Sequence, residues 1–128
     1  MVRWLRFCTV AVLVCLVSLG TVAWAIELSE RQKIEALLAS LKDISGAVFI
    51  RNGRDYDAGK AIDHLKRKLT AAGSRVNSAE DFIVCCATGS SISGEPYRIK
   101  FPDGRLVNSA DYFRAKLNEL NHSNEPRR

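Results

Sequence analysis

The N-terminal stretch decides how much of this 128-residue chain is left to fold. Arg3 and Arg6 are the only charges before Glu27, an apolar run extends from Phe7 to Val22, and Ala23-Trp24-Ala25 puts small residues at the two positions a signal peptidase reads. The apolar run is 16 residues long, whereas a membrane-spanning helix needs about 20. Cys15 follows Leu13-Val14, where a lipoprotein requires a small residue. The expectation is therefore a cleaved secretory signal over residues 1–25, export to a periplasm, and no membrane attachment afterwards. Residues 26–120 then form a single domain, and 121–128 a disordered polar tail.

Loss of the signal leaves 103 residues with 17 basic and 14 acidic side chains, a net charge of +3. That length supports a genuine hydrophobic core. The basic excess is mild and scattered, with no aromatic-basic interleaving, which excludes nucleic acid as a partner. Cys8 and Cys15 leave with the signal, and Cys85 and Cys86 remain as sequence neighbours. Neighbours cannot staple distant parts of a domain, so the expectation is one cysteine in the core and the other at its edge, rather than a redox pair.

Helical and strand periods alternate along the remaining chain. Ser29 and Gln32 have capping-box spacing, and Ile34, Leu37, Leu38 and Leu41 recur at helical spacing until Ser45-Gly46. Ala47 to Arg51 reads as a strand, with Asn52-Gly53 expected to end it rather than to make a hairpin. Asp57 caps a second helix with Ala58, Ile62, Leu65 and Leu69 on its buried stripe and Gly73 at its end. Asp63 and Arg67 read as a surface ion pair, and the basic run Lys66 to Lys68 as cations suiting a helix C-terminus. Ser78 and Asp81 start a third helix, closed by Gly89. Tyr97, Ile99 and Phe101 alternate with Arg98 and Lys100 in a strand. Pro102-Asp103-Gly104 turns into the returning Arg105-Leu106-Val107. Asn108 or Ser109 caps a last helix with Ala110, Phe113, Leu117 and Leu120 inward. The order helix, strand, helix, helix, strand, strand, helix predicts an α+β domain with a small three-stranded sheet.

Familiar chemistries fail on spacing. Gly53 to Lys60 has one residue too many between its glycines for a phosphate loop, and Ala61 stands where Ser or Thr should hold magnesium. Gly89 to Ser93 lacks the last glycine of a nucleophile elbow, and the strand lies on the wrong side. No metal-ligand spacing and no cofactor motif is present, so neither is expected. His64 is the one titratable group of interest: either a ligand-facing imidazole near Arg51 and Asn52, or, by preference, a boundary residue donating to a backbone carbonyl. Lys60 and Lys68, one turn to either side, disfavour its protonation.

The motifs FIRNG (Phe49 to Gly53), Tyr56, HLKRK (His64 to Lys68), AEDFI (Ala79 to Ile83) and SSISGEPY (Ser90 to Tyr97) together resemble the YfeK-like family of small exported bacterial proteins of unknown function. The resemblance extends over Leu28 to Leu120 and implies export and a single domain; it carries no catalytic residue. The polar motif residues Arg51, Asn52, His64, Ser90, Ser91, Ser93 and Tyr97 sit at element ends and are the candidate binding set. The sequence leaves the pairing of the first two strands open: antiparallel pairing is expected to hold those ends apart, whereas ends that converge make one polar patch with His64 as a neighbour. The function expected is a non-enzymatic binding or accessory protein of the cell envelope, gripping another envelope protein or a wall fragment through the loop Ser90 to Tyr97. The alternatives are a small enzyme whose site needs a concave pocket around His64 with Arg51 or Tyr97, and a loop binder, since Ser93 to Tyr97 resembles the loops of periplasmic lysozyme inhibitors.

Overall fold

In the computed structural model, which describes residues 28–125, the capping box at Ser29 starts the first helix. The Ser29 hydroxyl accepts the Gln32 N–H at 3.2 Å, and Gln32 Oε1 accepts the Ser29 N–H at 2.9 Å. Helix α1 (Glu30–Ser40) then buries Ile34, Leu37 and Leu38, and a short 3₁₀ turn adds Leu41. The expected signal segment lies outside the described residues.

Strand β1 (Val48–Arg51) does not simply end at Asn52-Gly53. Asn52 (φ 52°) and Gly53 (φ 71°) both take the left-handed conformation that a two-residue hairpin turn demands, and β2 (Arg54–Tyr56) pairs back with Arg51 opposite Arg54. The expectation of a terminating turn is corrected by this hairpin. β2 is short and mostly exposed, with no alternating apolar face to reveal it. The sheet consequently has four strands rather than three. β3 (Arg98–Lys100) pairs with β1, and β4 (Leu106–Asn108) with β3, all antiparallel, in the order β2-β1-β3-β4.

Asp57 caps α2 (Ala58–Ala72) through the Lys60 N–H at 2.9 Å, and Gly73 (φ 54°) ends it. α3 (Ala79–Phe82), capped by Ser78, widens at once into a π turn over Ile83–Ala87. The Thr88 hydroxyl donates back to the Ile83 carbonyl at 2.8 Å, satisfying an acceptor that the wide turn frees. Cys86 is buried and Cys85 exposed, both unpaired. α4 (Ser109–Ser123) follows β4 directly and runs three residues past Leu120, the end expected from the sequence.

One face of the sheet, through Phe49, Tyr97 and Ile99, packs against the helices, while Arg98 and Lys100 face outward. Leu37, Leu38, Leu41, Phe82, Ile83 and Phe113 complete the core, each almost wholly withdrawn from water and worth about 1.5–3 kcal/mol of transfer free energy. Phe82 and Phe113 meet edge to face, with ring centroids 5.9 Å apart. No helix among the described residues is long and apolar enough to cross a membrane.

Candidate functional site

The antiparallel pairing of β1 with β3 assembles the site. Ile50 lies opposite Arg98, and Arg98 opposite Asn108. One step further along the same register, Arg51, Tyr97 and Ser109 fall in one cross-strand row, closed by the Ser109 N–H donating to the Tyr97 carbonyl at 2.8 Å. In an antiparallel pair the end of one strand lies beside the start of its partner. The expectation that such pairing separates these ends is therefore reversed.

α2 lies across this row and contributes His64 and Lys68. Tyr97 Oη stands 2.9 Å from His64 Nε2 and accepts from Lys68 Nζ at 3.2 Å. Lys68 also donates to the Gly89 carbonyl at 2.7 Å. Its position on the inner side of α2, rather than any helix-end effect, accounts for this cation. Arg51 Nη1 lies 2.9 Å from His64 Nδ1 and 3.2 Å from Nε2. A donor within reach of both ring nitrogens cannot point along both lone pairs, so the guanidinium sits against the imidazole itself. Its second arm donates to Tyr56 Oη at 3.2 Å, with the guanidinium carbon 5.0 Å from the Tyr56 ring centre. That bond holds the Tyr56 hydroxyl below its usual pKa.

The ring is neutral here, because an imidazolium would have only Tyr97 Oη as an acceptor and would turn its other N–H toward a guanidinium. Burial, then the charges of Arg51, Lys68 and Arg67, push the His64 pKa down to about 4. The preferred sequence reading, a histidine donating to a backbone carbonyl, is corrected: its partners are side chains. The Asp63–Arg67 pair does not form among the described residues; both side chains instead line a cavity.

That cavity, about 190 Å³, opens between α2 and the Arg51 end of the sheet. Leu41, Phe49, Ile50, Ala61 and Leu65 supply an apolar wall, while Arg51, His64, Tyr56, Tyr97 and Ser109 supply polar groups. Lys60, Arg67 and Arg98 add positive charge at the lining against the single acid, Asp63. Arg51 has no carboxylate partner among the described residues.

The remaining candidates form a separate clasp beside the cavity. Ser90 Oγ accepts from the backbone N–H groups of Ile92 and Ser93 and from Asn52 Nδ2, each at 3.3 Å, and Ser93 Oγ donates to Asn52 Oδ1 at 2.6 Å. The Ser90 N–H reaches the Glu95 carbonyl at 2.9 Å, and the Tyr97 N–H the Thr88 carbonyl at 3.0 Å. Ser90 and Ser93 are thus spent on their own loop and on the hairpin tip. Ser91 is exposed and stands apart from both groups.

Sequence reasoning reached Arg51, His64 and Tyr97 and missed Lys68, Tyr56 and Ser109. Tyr56 stood among the family motifs, so its signal was present. Lys68 was hidden inside a basic run, and Ser109 looked like a helix cap.

The profile of a family described as a family of unknown function, DUF5329, matches residues 28–121, a span containing every residue of the cavity and the clasp. A Salmonella typhimurium protein described as uncharacterized protein YfeK is 38% identical over 76 residues. The match spans 59% of this chain and 63% of that protein, so less than two thirds of the relative's length is covered. No solved structure matches.

Proposed function

We propose, for a chain that belongs to DUF5329, a family of unknown function, that it is an exported periplasmic binding protein holding a small anionic ligand in the Arg51–His64–Tyr97 cavity. The observation that carries this reading is Arg51: a half-buried guanidinium on a cavity wall, bonded to neutral side chains and with no carboxylate partner among the described residues. A planar fork of donors is suited to a carboxylate or phosphate, and a desolvated, unpaired cation is costly unless something else compensates it. The clasp residues of the Ser90–Tyr97 loop are satisfied internally, which favours the cavity over the loop as the gripping surface. A wall fragment bearing a free carboxylate remains within this class.

A second reading, a small enzyme, draws on the concave pocket around His64 and Tyr97. What weighs against it is the histidine. A general base works best with a pKa near the operating pH, and one pushed down to about 4 is too weak an acceptor for demanding proton abstraction near neutrality.

The test is an NMR titration of the mature protein with acetate and with inorganic phosphate. Saturable shifts at Arg51, His64 and Tyr97 are expected, weakened about tenfold or more in Arg51→Gln and less in Arg51→Lys, which keeps the charge without the fork. No saturation with either anion by about 10 mM, ten times the Kd of a −4.1 kcal/mol contact, overturns the anion reading. Export is tested separately: the periplasmic fraction should contain a protein whose intact mass begins at Ile26.

A further inference from the structure

The Ser109 hydroxyl is a group that neither the fold nor the network around Arg51 uses. Ser109 is the first residue of α4, is 6% exposed, and lines the cavity. Its N–H is spent on the Tyr97 carbonyl, but its hydroxyl has no hydrogen-bond partner among the described residues. A hydroxyl buried without a partner costs free energy comparable to a lost hydrogen bond, so this one faces either water or a ligand in the cavity. Opposite Cα atoms in adjacent strands lie about 4.5–5.5 Å apart, which sets Ser109 about 10 Å from Arg51 across the row, with Tyr97 between them. Arg51 and Ser109 therefore stand at the two ends of one cross-strand row, on either side of Tyr97, along a chamber that Leu41, Phe49 and Leu65 help to wall.

We infer that Ser109 is a second anchor and that the ligand is a small monocarboxylic acid with an apolar body and a hydrogen-bonding group at the end away from the carboxylate. This rests on the anion-site reading and narrows it. Volume sets the size of the ligand: a dry cavity of about 150 Å³ takes a benzene ring. The 190 Å³ here accommodates a ring of that size with a substituent at each end. A bare phosphate would satisfy Arg51 but would leave the space beside Leu41, Phe49 and Leu65 unfilled and Ser109 unused. A carboxylic acid with an apolar body places its charge on Arg51, packs against those walls, and brings its far hydroxyl to Ser109 Oγ. His64 and Tyr97, already bonded to each other, form the side of the chamber and add no charge, and the other cations of the lining, Lys60, Arg67 and Arg98, are solvent-exposed.

The experiment compares benzoate, 4-hydroxybenzoate and inorganic phosphate by NMR titration and calorimetry of the mature protein. Wild type should bind 4-hydroxybenzoate most tightly, then benzoate, then phosphate. Ser109→Ala should remove the three- to tenfold advantage of 4-hydroxybenzoate over benzoate that one hydrogen bond of about 1 kcal/mol supplies. Ala61→Leu, a substitution that suits a helix and fills the chamber, should abolish binding of both aromatic acids and leave phosphate in place. Phosphate binding without either aromatic acid overturns this inference and leaves the anion site standing. Failure of all three anions overturns both. Loss of both aromatic acids to the same degree in Ser109→Ala assigns Ser109 a structural role and overturns it as an anchor.

Discussion

Replacing Gly89 with alanine should break the clasp that seats Tyr97. A Cβ at this position would stand 2.7 Å from the Glu95 carbonyl oxygen, 3.3 Å from its carbon and 3.4 Å from Pro96 Cα. All three are backbone atoms, so no side chain can swing aside. Restoring an ordinary carbon–oxygen contact moves the Glu95 carbonyl by about half an ångström, which draws its 2.9 Å bond from the Ser90 N–H toward the limit of useful geometry. Overpacking costs about 1–3 kcal/mol and the loosened bond about 1 kcal/mol, offset by about 0.4–1 kcal/mol from a stiffer unfolded chain. The net is about 2 kcal/mol, or a Tm lower by about 8–16 °C for a domain of this size.

The same loop contains its control. Gly94 has open space around it but a φ of +74°, so Gly94→Ala pays only for a left-handed residue, about 1–2 kcal/mol. Asparagine tolerates that conformation and should recover most of the loss at position 94, yet none at position 89. Both tryptophans, Trp4 and Trp24, lie in the expected signal, so urea unfolding is best followed by far-ultraviolet circular dichroism. Wild-type stability for Gly89→Ala, or rescue by Gly89→Asn, would refute the steric argument.

Other outcomes follow from the same geometry. Acid should cost the wild type stability between pH 6.5 and about 4, because the unfolded chain takes up the His64 proton there while the folded chain refuses it. In His64→Gln that component disappears from a plot of urea midpoint against pH, leaving carboxylate titration alone. Glu30 behaves in the parallel sense: the Ala79 N–H, bonded to it at 2.7 Å, holds its pKa down, so the stability it lends is present above pH 4.5 and is lost on further acidification, which Glu30→Gln should show as a flatter acid limb. Iodoacetamide should label Cys85 rapidly and Cys86 only at the rate of unfolding, since burial pushes the Cys86 thiol up and removes it from solvent; mass spectrometry of the digested protein separates the two. Asn52→Gly keeps the hairpin conformation but loses both serine contacts, and should lower stability by about 1–2 kcal/mol in urea titration.

Most of the scaffold was legible because it rests on local rules. Ser29, Asp57 and Ser78 announce helix starts through side-chain caps, and Tyr97 and Ile99 announce a strand through alternation. β2 was not legible, since Arg54 and Asp55 present no apolar face to reveal a strand; its only signature was the Asn52-Gly53 turn, which was read the other way. The π turn over Ile83–Ala87 leaves no periodicity of its own in five residues. The site was half legible for a related reason. Arg51 and His64 are unusual where they stand, whereas Lys68 and Ser109 are ordinary surface and cap residues until register and helix docking bring them to the same cavity.

The row that builds the cavity joins Arg51 to Tyr97 across 45 intervening positions and onward to Ser109. No single hairpin or helix contains it, so it exists only after the costly closure of that long loop, with α2 already docked. The site is therefore a late product of folding, and a ligand that fills it is bound by the finished domain alone. Each tenfold excess of such a ligand over its Kd deepens the folded state by about 1.4 kcal/mol as a whole. Slowed exchange of backbone amides in α3 and the latter half of α4, which line no part of the cavity, would then report occupancy as faithfully as amides beside Arg51.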